Sequence, residues 1–297
     1  PVQGPRMALQ PRQKAVYTLP YNFASLNPKD EVFVKVQFLL GHDMPWAKQG
    51  YPQFEEQLLV ASPSVAAPAI SQVAENAGKL EVSADADKAF QTIKGEGFEV
   101  QFDMKQGTIN KLVYGGESVI VPGYGPRLNA FRAFVSNDNW CYQPWFANGL
   151  HNLKHHAENA QVIKEKNGNV KITCTVVSQA PNAARLQSKN GRYDSGIHTL
   201  EENTDRPFGA DDFKFTTNQI WTIYPDGSIE LQAAITSNNP GIVLARLGYE
   251  MGVPAQYDRF AYYGRGPVDN YNDRKTGQFI EQFSSTVAEQ FTNWPKP

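Results

Sequence analysis

The stretch AQVIKEKNGNVKITCTVVSQ, residues 160–179, limits the fold of this chain more than any other. Val170, Ile172, Cys174 and Val176 alternate with Lys171, Thr173 and Thr175. A period of two places every second side chain on one face of a strand, so this segment has one apolar and one polar face. Asn167-Gly168, set between two such runs, signals a hairpin and predicts a type I′ turn with positive φ at both residues. The pattern recurs in FKFTTNQIWTIYPDGSIELQAAITS, which turns at Pro225–Ser228 with Asp226 ahead of Gly227 as a turn residue. It recurs again in GFEVQFDMKQGTINKLVYGGESVI, where Lys105-Gln106-Gly107 joins two strands and Gly115-Gly116 ends the second. There is no βαβ alternation, no internal repeat and no amphipathic helix longer than about 12 residues. An all-β fold is expected, and a parallel-sheet barrel within this chain is not.

Other segments divide the chain. In DEVFVKVQFLL, residues 30–40, Val32, Val34, Val36, Phe38 and Leu40 share one face, which predicts a strand buried mostly on one side. FEEQLLV, residues 54–60, reads as a closing strand, and residues 1–60 as part of a small β-sandwich. ASPSVAAPAISQVAENAG, residues 61–78, has the Ala, Ser and Pro content of a linker. VLARLGYEMGVP, residues 243–254, reads as a strand, and the polar segment 181–212 as a long irregular loop.

Charge and motif content narrow the function. With 28 basic and 30 acidic residues, no electrostatic footprint for nucleic acid or an anionic membrane is present. No apolar run reaches the ~18 residues of a membrane span. The opening lacks the apolar core of a signal peptide, and the chain begins and ends on proline in mid-phrase, a hint of a fragment. Cys141 and Cys174 read as two buried thiols rather than a disulfide framework. His42, His151, His155, His156 and His198 have no metal-ligand spacing and read as exposed loop residues. No phosphate-binding glycine loop or nucleophile elbow appears.

A glycosidase needs two carboxylates across a cleft. Glu96, Glu99, Asp103, Asp138, Glu250, Asp269 and Asp273 supply carboxylates, but their spacing pairs none of them. Two segments are rich in recognition chemistry. FRAFVSNDNWCYQPWFANGLHNL, residues 131–153, sets Arg132, Asn137, Asp138 and Asn139 beside Trp140, Tyr142 and Trp145 without strand periodicity. Exposed rings beside amides suit sugar binding, since a ring covers the C–H face of a sugar while polar groups meet its hydroxyls. A buried crossover loop whose Asn and Asp side chains cap backbone fits equally. In YYGRGPVDNYNDRKTGQF, residues 262–279, Arg265, Asp269, Asp273 and Arg274 can form a mutually neutralising buried network, with Tyr263 and Tyr271 packed on it.

This last stretch resembles the phrase YGRGPxENYxDR in the C-terminal domain of bacterial β-galactosidases of glycoside hydrolase family 2. FDMKQGTINKLVYGGESVI followed by FRAFVSNDN is similar to the start of that domain. DEVFVKVQFLLGHDMPWAKQGYPQFEEQLLV resembles the end of the domain before it. The resemblance implies residues 1–62 as the C-terminal part of an immunoglobulin-like sandwich, 63–78 as a linker, and 79–297 as a large antiparallel supersandwich similar to galactose mutarotase, truncated at its C-terminus.

It also implies that the catalytic glutamates and a magnesium site, with sodium a further possibility, belong to a barrel upstream, leaving no catalytic residue and no metal in this chain. A galactoside would be the partner, held jointly with that barrel, and a homo-oligomer is open. Asn139, Trp140, Tyr142 and Trp145 would lie in a loop at the pocket edge. Arg132, Asp138, Arg265, Asp269, Tyr271, Asp273 and Arg274 would be structural motif residues. Two further readings stay open: a stand-alone carbohydrate-binding module, and a mutarotase-like epimerase needing a His and a Glu across a cleft.

Overall fold

A computed structural model describes residues 3, 4, 7, 9–18, 22, 26, 27, 30–62, 78–188, 198–268, 270, 271 and 273–290. Among the described residues the strand pairs with a defined register are antiparallel, and the helical content is one short α-helix with a few 3₁₀ turns. The chain divides into two compact units: residues 1–69 with Tyr263–Phe283, and residues 70–262 with 284–297. This division sends Tyr263–Phe283 to the N-terminal unit, which a single boundary in the 63–78 linker does not. Most of that linker lies outside the described residues.

In the N-terminal unit, β1 (Val32–Leu39) pairs with β2 (Pro52–Ala61). Val32, Phe33, Val34 and Val36 are half-buried, whereas Phe38 and Leu39 are 41% and 54% exposed. The expected one-sided burial therefore holds only for the first half of β1.

The larger unit is a sandwich. One layer runs β3-β4-β5-β6-β7 in chain order: Glu81–Ala84, Phe90–Gly95, Phe98–Asp103, Thr108–Tyr114 and Glu117–Ser118. The short β8 (Arg127–Asn129) follows. The other layer contains β9 (Lys154–Lys164) and β10 (Val170–Gln179), then β13 (Phe215–Ile223) and β14 (Ile229–Ser237), ordered β14-β13-β10-β9. Ile93, Val100, Phe102 and Ile109 of the first layer form one core with Val170, Ile172, Cys174, Val176, Trp221 and Ile223 of the second. Phe102 and Trp221 meet edge to face at 5.7 Å. The strict alternation read from residues 170–176 is the burial pattern of β10, every second residue lying in the core.

The turn after β9 differs from expectation. Gly168 has φ +91°, but Asn167 does not have positive φ. The Glu165 N–H donates to the Asn169 carbonyl at 2.9 Å, so three residues make the turn and one left-handed position suffices. Gly115 and Gly116 both have positive φ, and they are the two-residue turn joining β6 to β7.

Segment 181–212 is not an irregular loop. It holds β11 (Asn182–Ser188) and β12 (His198–Pro207), an antiparallel pair. Its apolar side chains are few, with Ala184 buried and Leu186 opposite Leu200, so the alternation is too short to mark it. Cross-strand charge holds it instead: Arg185 and Gln187 both donate to Glu201 Oε2, at 2.8 and 2.9 Å.

Candidate functional site

The segment between β8 and β9 is not wholly a loop. It contains a 3₁₀ turn at Ser136–Asp138, helix α1 (Tyr142–Ala147) and a second 3₁₀ turn at Leu150–Asn152. Pro144 sits in the first turn of α1, where a missing N–H costs little. Gly149, at φ +70°, ends the helix in the left-handed conformation. A Cβ there would lie 2.1 Å from the Ala180 Cβ, so the chain also passes too close for a side chain. Asn148-Gly149 is a helix-stop signal, the cue by which the sequence could have shown this short helix and which the loop reading passed over.

Arg132 and Asp138 meet in a two-pronged ion pair, Nη1 donating to Oδ2 at 2.6 Å and Nη2 to Oδ1 at 3.1 Å. Asp138 Oδ2 also accepts the Val135 N–H at 2.7 Å, closing the turn. Burial pushes the Asp138 carboxyl upward, but the Arg132 guanidinium and the Val135 N–H outweigh it and hold the group below the usual carboxylate range. The same guanidinium lies 5.6 Å from the Trp145 ring centre.

Trp145 corrects the expectation of an exposed, ligand-facing ring. It is 1% exposed, packs with Phe131, and donates its indole N–H to the Val243 carbonyl at 2.7 Å. Tyr142 is half-buried and stacks on Phe134 at 4.5 Å, so one of its faces is already covered. Trp140, at 73% exposure, and Asn139, also exposed, remain open to a ligand. Cys141 begins α1 and is buried, and burial raises its thiol pKa. Cys174 lies in the main core with its pKa pushed to about 11. Both cysteines are free thiols.

Two histidines correct the exposed-loop reading. His155 is on β9, half-buried, with Nδ1 2.9 Å from Ser178 Oγ. Burial, with the charges of Arg127 and Lys154, lowers its pKa to about 4 against a pull upward from Glu250. His151 sits among rings, with Phe146 at 5.0 Å and Phe131 at 6.1 Å between ring centres. Both of its ring nitrogens are buried, and among the described residues neither has a hydrogen-bond partner.

A His and a Glu thus come near each other, as an epimerase needs, but the setting does not suit a sugar. Glu250 on β15 (Gly248–Glu250) is exposed; it accepts from Asn129 and pairs with Arg246 at 3.6 Å. The cavity beside His155, lined in part by Arg127, Thr108 and Gln219, has a volume of about 10 Å³, room for one water.

The 262–279 stretch is a hairpin between β16 (Arg259–Gly266) and β17 (Phe279–Thr286). The described members of the expected charge network are not buried. Arg265, Tyr271, Asp273 and Arg274 are exposed, and Asp269 lies outside the described residues. Arg265 Nη1 instead donates to two backbone carbonyls, Lys275 at 3.2 Å and Gln278 at 3.1 Å, tying the loop to itself. The Arg274 guanidinium lies 5.7 Å from the Tyr271 ring centre. Tyr263 donates to Glu31 at 2.6 Å. Open carbonyls at a tight turn thus compete with carboxylates for the Arg265 guanidinium.

Among the described residues no three His, Cys, Asp or Glu side chains converge to hold a metal. Among them, too, no helix is long and apolar enough to cross a membrane.

Comparison with known proteins fits this anatomy. A family model described as "Beta galactosidase small chain" matches residues 94–297, and one described as "Beta-galactosidase, domain 4" matches residues 1–61. A β-galactosidase of Priestia megaterium is 24% identical over 271 residues, covering 91% of this chain and 22% of that protein. One from Psychromonas ingrahamii is 25% identical over 284 residues, covering 90% and 24%. One from Halalkalibacterium halodurans is 24% identical over 303 residues, covering 96% and 25%. The chain thus spans about a quarter of the length of the curated relatives it matches.

Proposed function

Since this chain belongs to the beta galactosidase small chain family, we propose that it is the C-terminal, non-catalytic part of a β-galactosidase. The observation that carries this is the collinear match of both domains across nearly the whole chain, against only a quarter of each relative. In the intact enzyme a barrel would supply the two carboxylates of a retaining mechanism, one as acid/base and one as nucleophile, through a covalent glycosyl-enzyme. Magnesium, where the enzyme uses it, would be held by that barrel.

The chain's own part is binding and orientation. Trp140 offers an open indole face for the C–H face of a galactoside, and Asn139 beside it offers an amide for hydroxyls. The Arg132–Asp138 pair pins the turn that carries both. Such a wall lowers the entropy of the bound sugar without touching the reacting bond. On this reading the isolated 297-residue chain does not hydrolyse a nitrophenyl galactoside. Turnover approaching that of an intact β-galactosidase overturns it.

A second reading, a free-standing carbohydrate-binding module, is favoured by the exposure of Trp140. Titration calorimetry of the isolated chain with galactose and lactose separates the two. Heat that disappears in Trp140→Ala supports the module, and no heat at millimolar sugar removes it.

A further inference from the structure

His151 is built into the 131–153 segment in an unusual way. A buried imidazole ordinarily has a hydrogen-bond partner for at least one nitrogen, since an unmet buried polar group costs about 1–3 kcal/mol. Here both nitrogens are covered, and among the described residues neither is met. Aromatic rings pack on it from two directions: Phe131 from the extended segment that follows β8, and Phe146 from α1.

The ionisable groups around it are few. Helix α1 contributes only Tyr142. In the segment leading to the helix, Arg132 and Asp138 neutralise each other. From β12, Glu202 acts on the imidazole through its charge, drawing it toward protonation, while burial acts more strongly the other way. Next in sequence to Glu202, Glu201 is paired with Arg185 on β11. At the start of β9, Lys154 is exposed and His155 is bonded to Ser178. A neutral imidazole can stay between these rings, but among the described residues an imidazolium has no acceptor there for either N–H.

We infer that His151 is a pH-sensitive latch: neutral, it holds α1 and the turn bearing Trp140 against the rest of the larger unit, and protonated, it releases them. The sign follows from linkage. A base that is harder to protonate when packed takes up its proton on opening, so acid favours the open form. The closed form is fully favoured above the ordinary histidine range near pH 6.5, and loses ground as pH falls below it. Glu202 sets the direction of release, because an imidazolium freed from the rings moves toward that carboxylate.

The test is hydrogen exchange followed by mass spectrometry on the whole chain between pH 7.5 and pH 5, corrected for the intrinsic pH dependence of exchange. Peptides from 131–153 are expected to open more as pH falls below the histidine range, by up to about tenfold per pH unit for one proton, while β5 and β10 peptides do so far less. In His151→Phe the ring remains but the titration is gone, so this pH dependence is expected to vanish. A wild-type segment that opens equally at both pH values overturns the proposal, as does an unchanged response in His151→Phe.

Should His151→Phe fail to fold, NMR titration of the wild-type histidine ring protons decides. A His151 pKa below that of a free histidine, with Trp140 and Trp145 resonances shifting along the same curve, supports the latch. A His151 pKa at or above the free value, or indole resonances indifferent to it, sinks it.

Discussion

Trp140 and Trp145 lie within one short segment yet meet opposite surroundings. The first is 73% exposed; the second is 1% exposed with its indole N–H bonded to Val243. Their alanine variants are expected to separate cleanly in urea unfolding. Trp145→Ala removes a large buried ring and strands a carbonyl, at a cost of about 3–5 kcal/mol. Trp140→Ala leaves stability within ~0.5 kcal/mol of the parent. Any defect in galactoside binding by Trp140→Ala would then report on contact with sugar. The sequence could not rank these two residues, because both occur among the same Asn, Tyr and Phe neighbours and only the third dimension distinguishes them. Asp138, by contrast, was legible as a backbone-capping residue six positions after its arginine, and its bonds to Val135 and Arg132 have that form.

At the scale of elements, strands with one buried face could be read directly. β10 and β13 alternate because the core takes every second side chain. β11 and β12 were missed because only a few apolar side chains, Ala184 and Leu186 among them, mark the inner face and charge pairs hold the rest, which leaves too short a period in the sequence. Close approach between elements was likewise hidden. Gly125 precedes β8, and a Cβ placed there would lie 1.7 Å from the Ile109 carbonyl oxygen on β6. That oxygen belongs to backbone and cannot swing aside. Gly125→Ala is therefore expected to cost about 2–4 kcal/mol, read as a lowered urea midpoint with little change in slope. A midpoint equal to the parent's would mean that the 121–126 segment moves freely away from β6.

The whole molecule carries a second acid-sensitive histidine, set apart from the latch. His155 has a folded-state pKa of about 4 against an ordinary value near 6.5, so the unfolded chain takes up the proton first. Its contribution is complete above pH 6.5 and is lost as pH falls through 4, on the order of 2–3 kcal/mol across that window. Urea midpoints measured from pH 7.5 to 4.5 should fall in the parent and fall less in His155→Asn. Parallel curves would place the acid sensitivity elsewhere. The fold class was legible throughout, since hairpin follows hairpin. The division into units was not, because nothing local to residues 262–279 says that the hairpin tip clusters with a region more than two hundred positions earlier.

That return has a consequence for how the protein is made. Gln57 holds Ile280 through both ends of its amide, accepting the Ile280 N–H at 2.8 Å and donating to its carbonyl at 2.9 Å, a backbone pair imitated by a side chain. Lys35 reaches Glu281 at 3.4 Å, a separation of 246 residues. A ribosome therefore releases β1 and β2 long before the strand they need exists, and closing so long a loop is slow. Residues 1–69 are thus made before the larger unit, yet their own unit is complete only once Tyr263–Phe283 has emerged. Until then its half-covered edge waits in the cell, and a chain halted before β17 would expose that edge permanently to other unpaired strands.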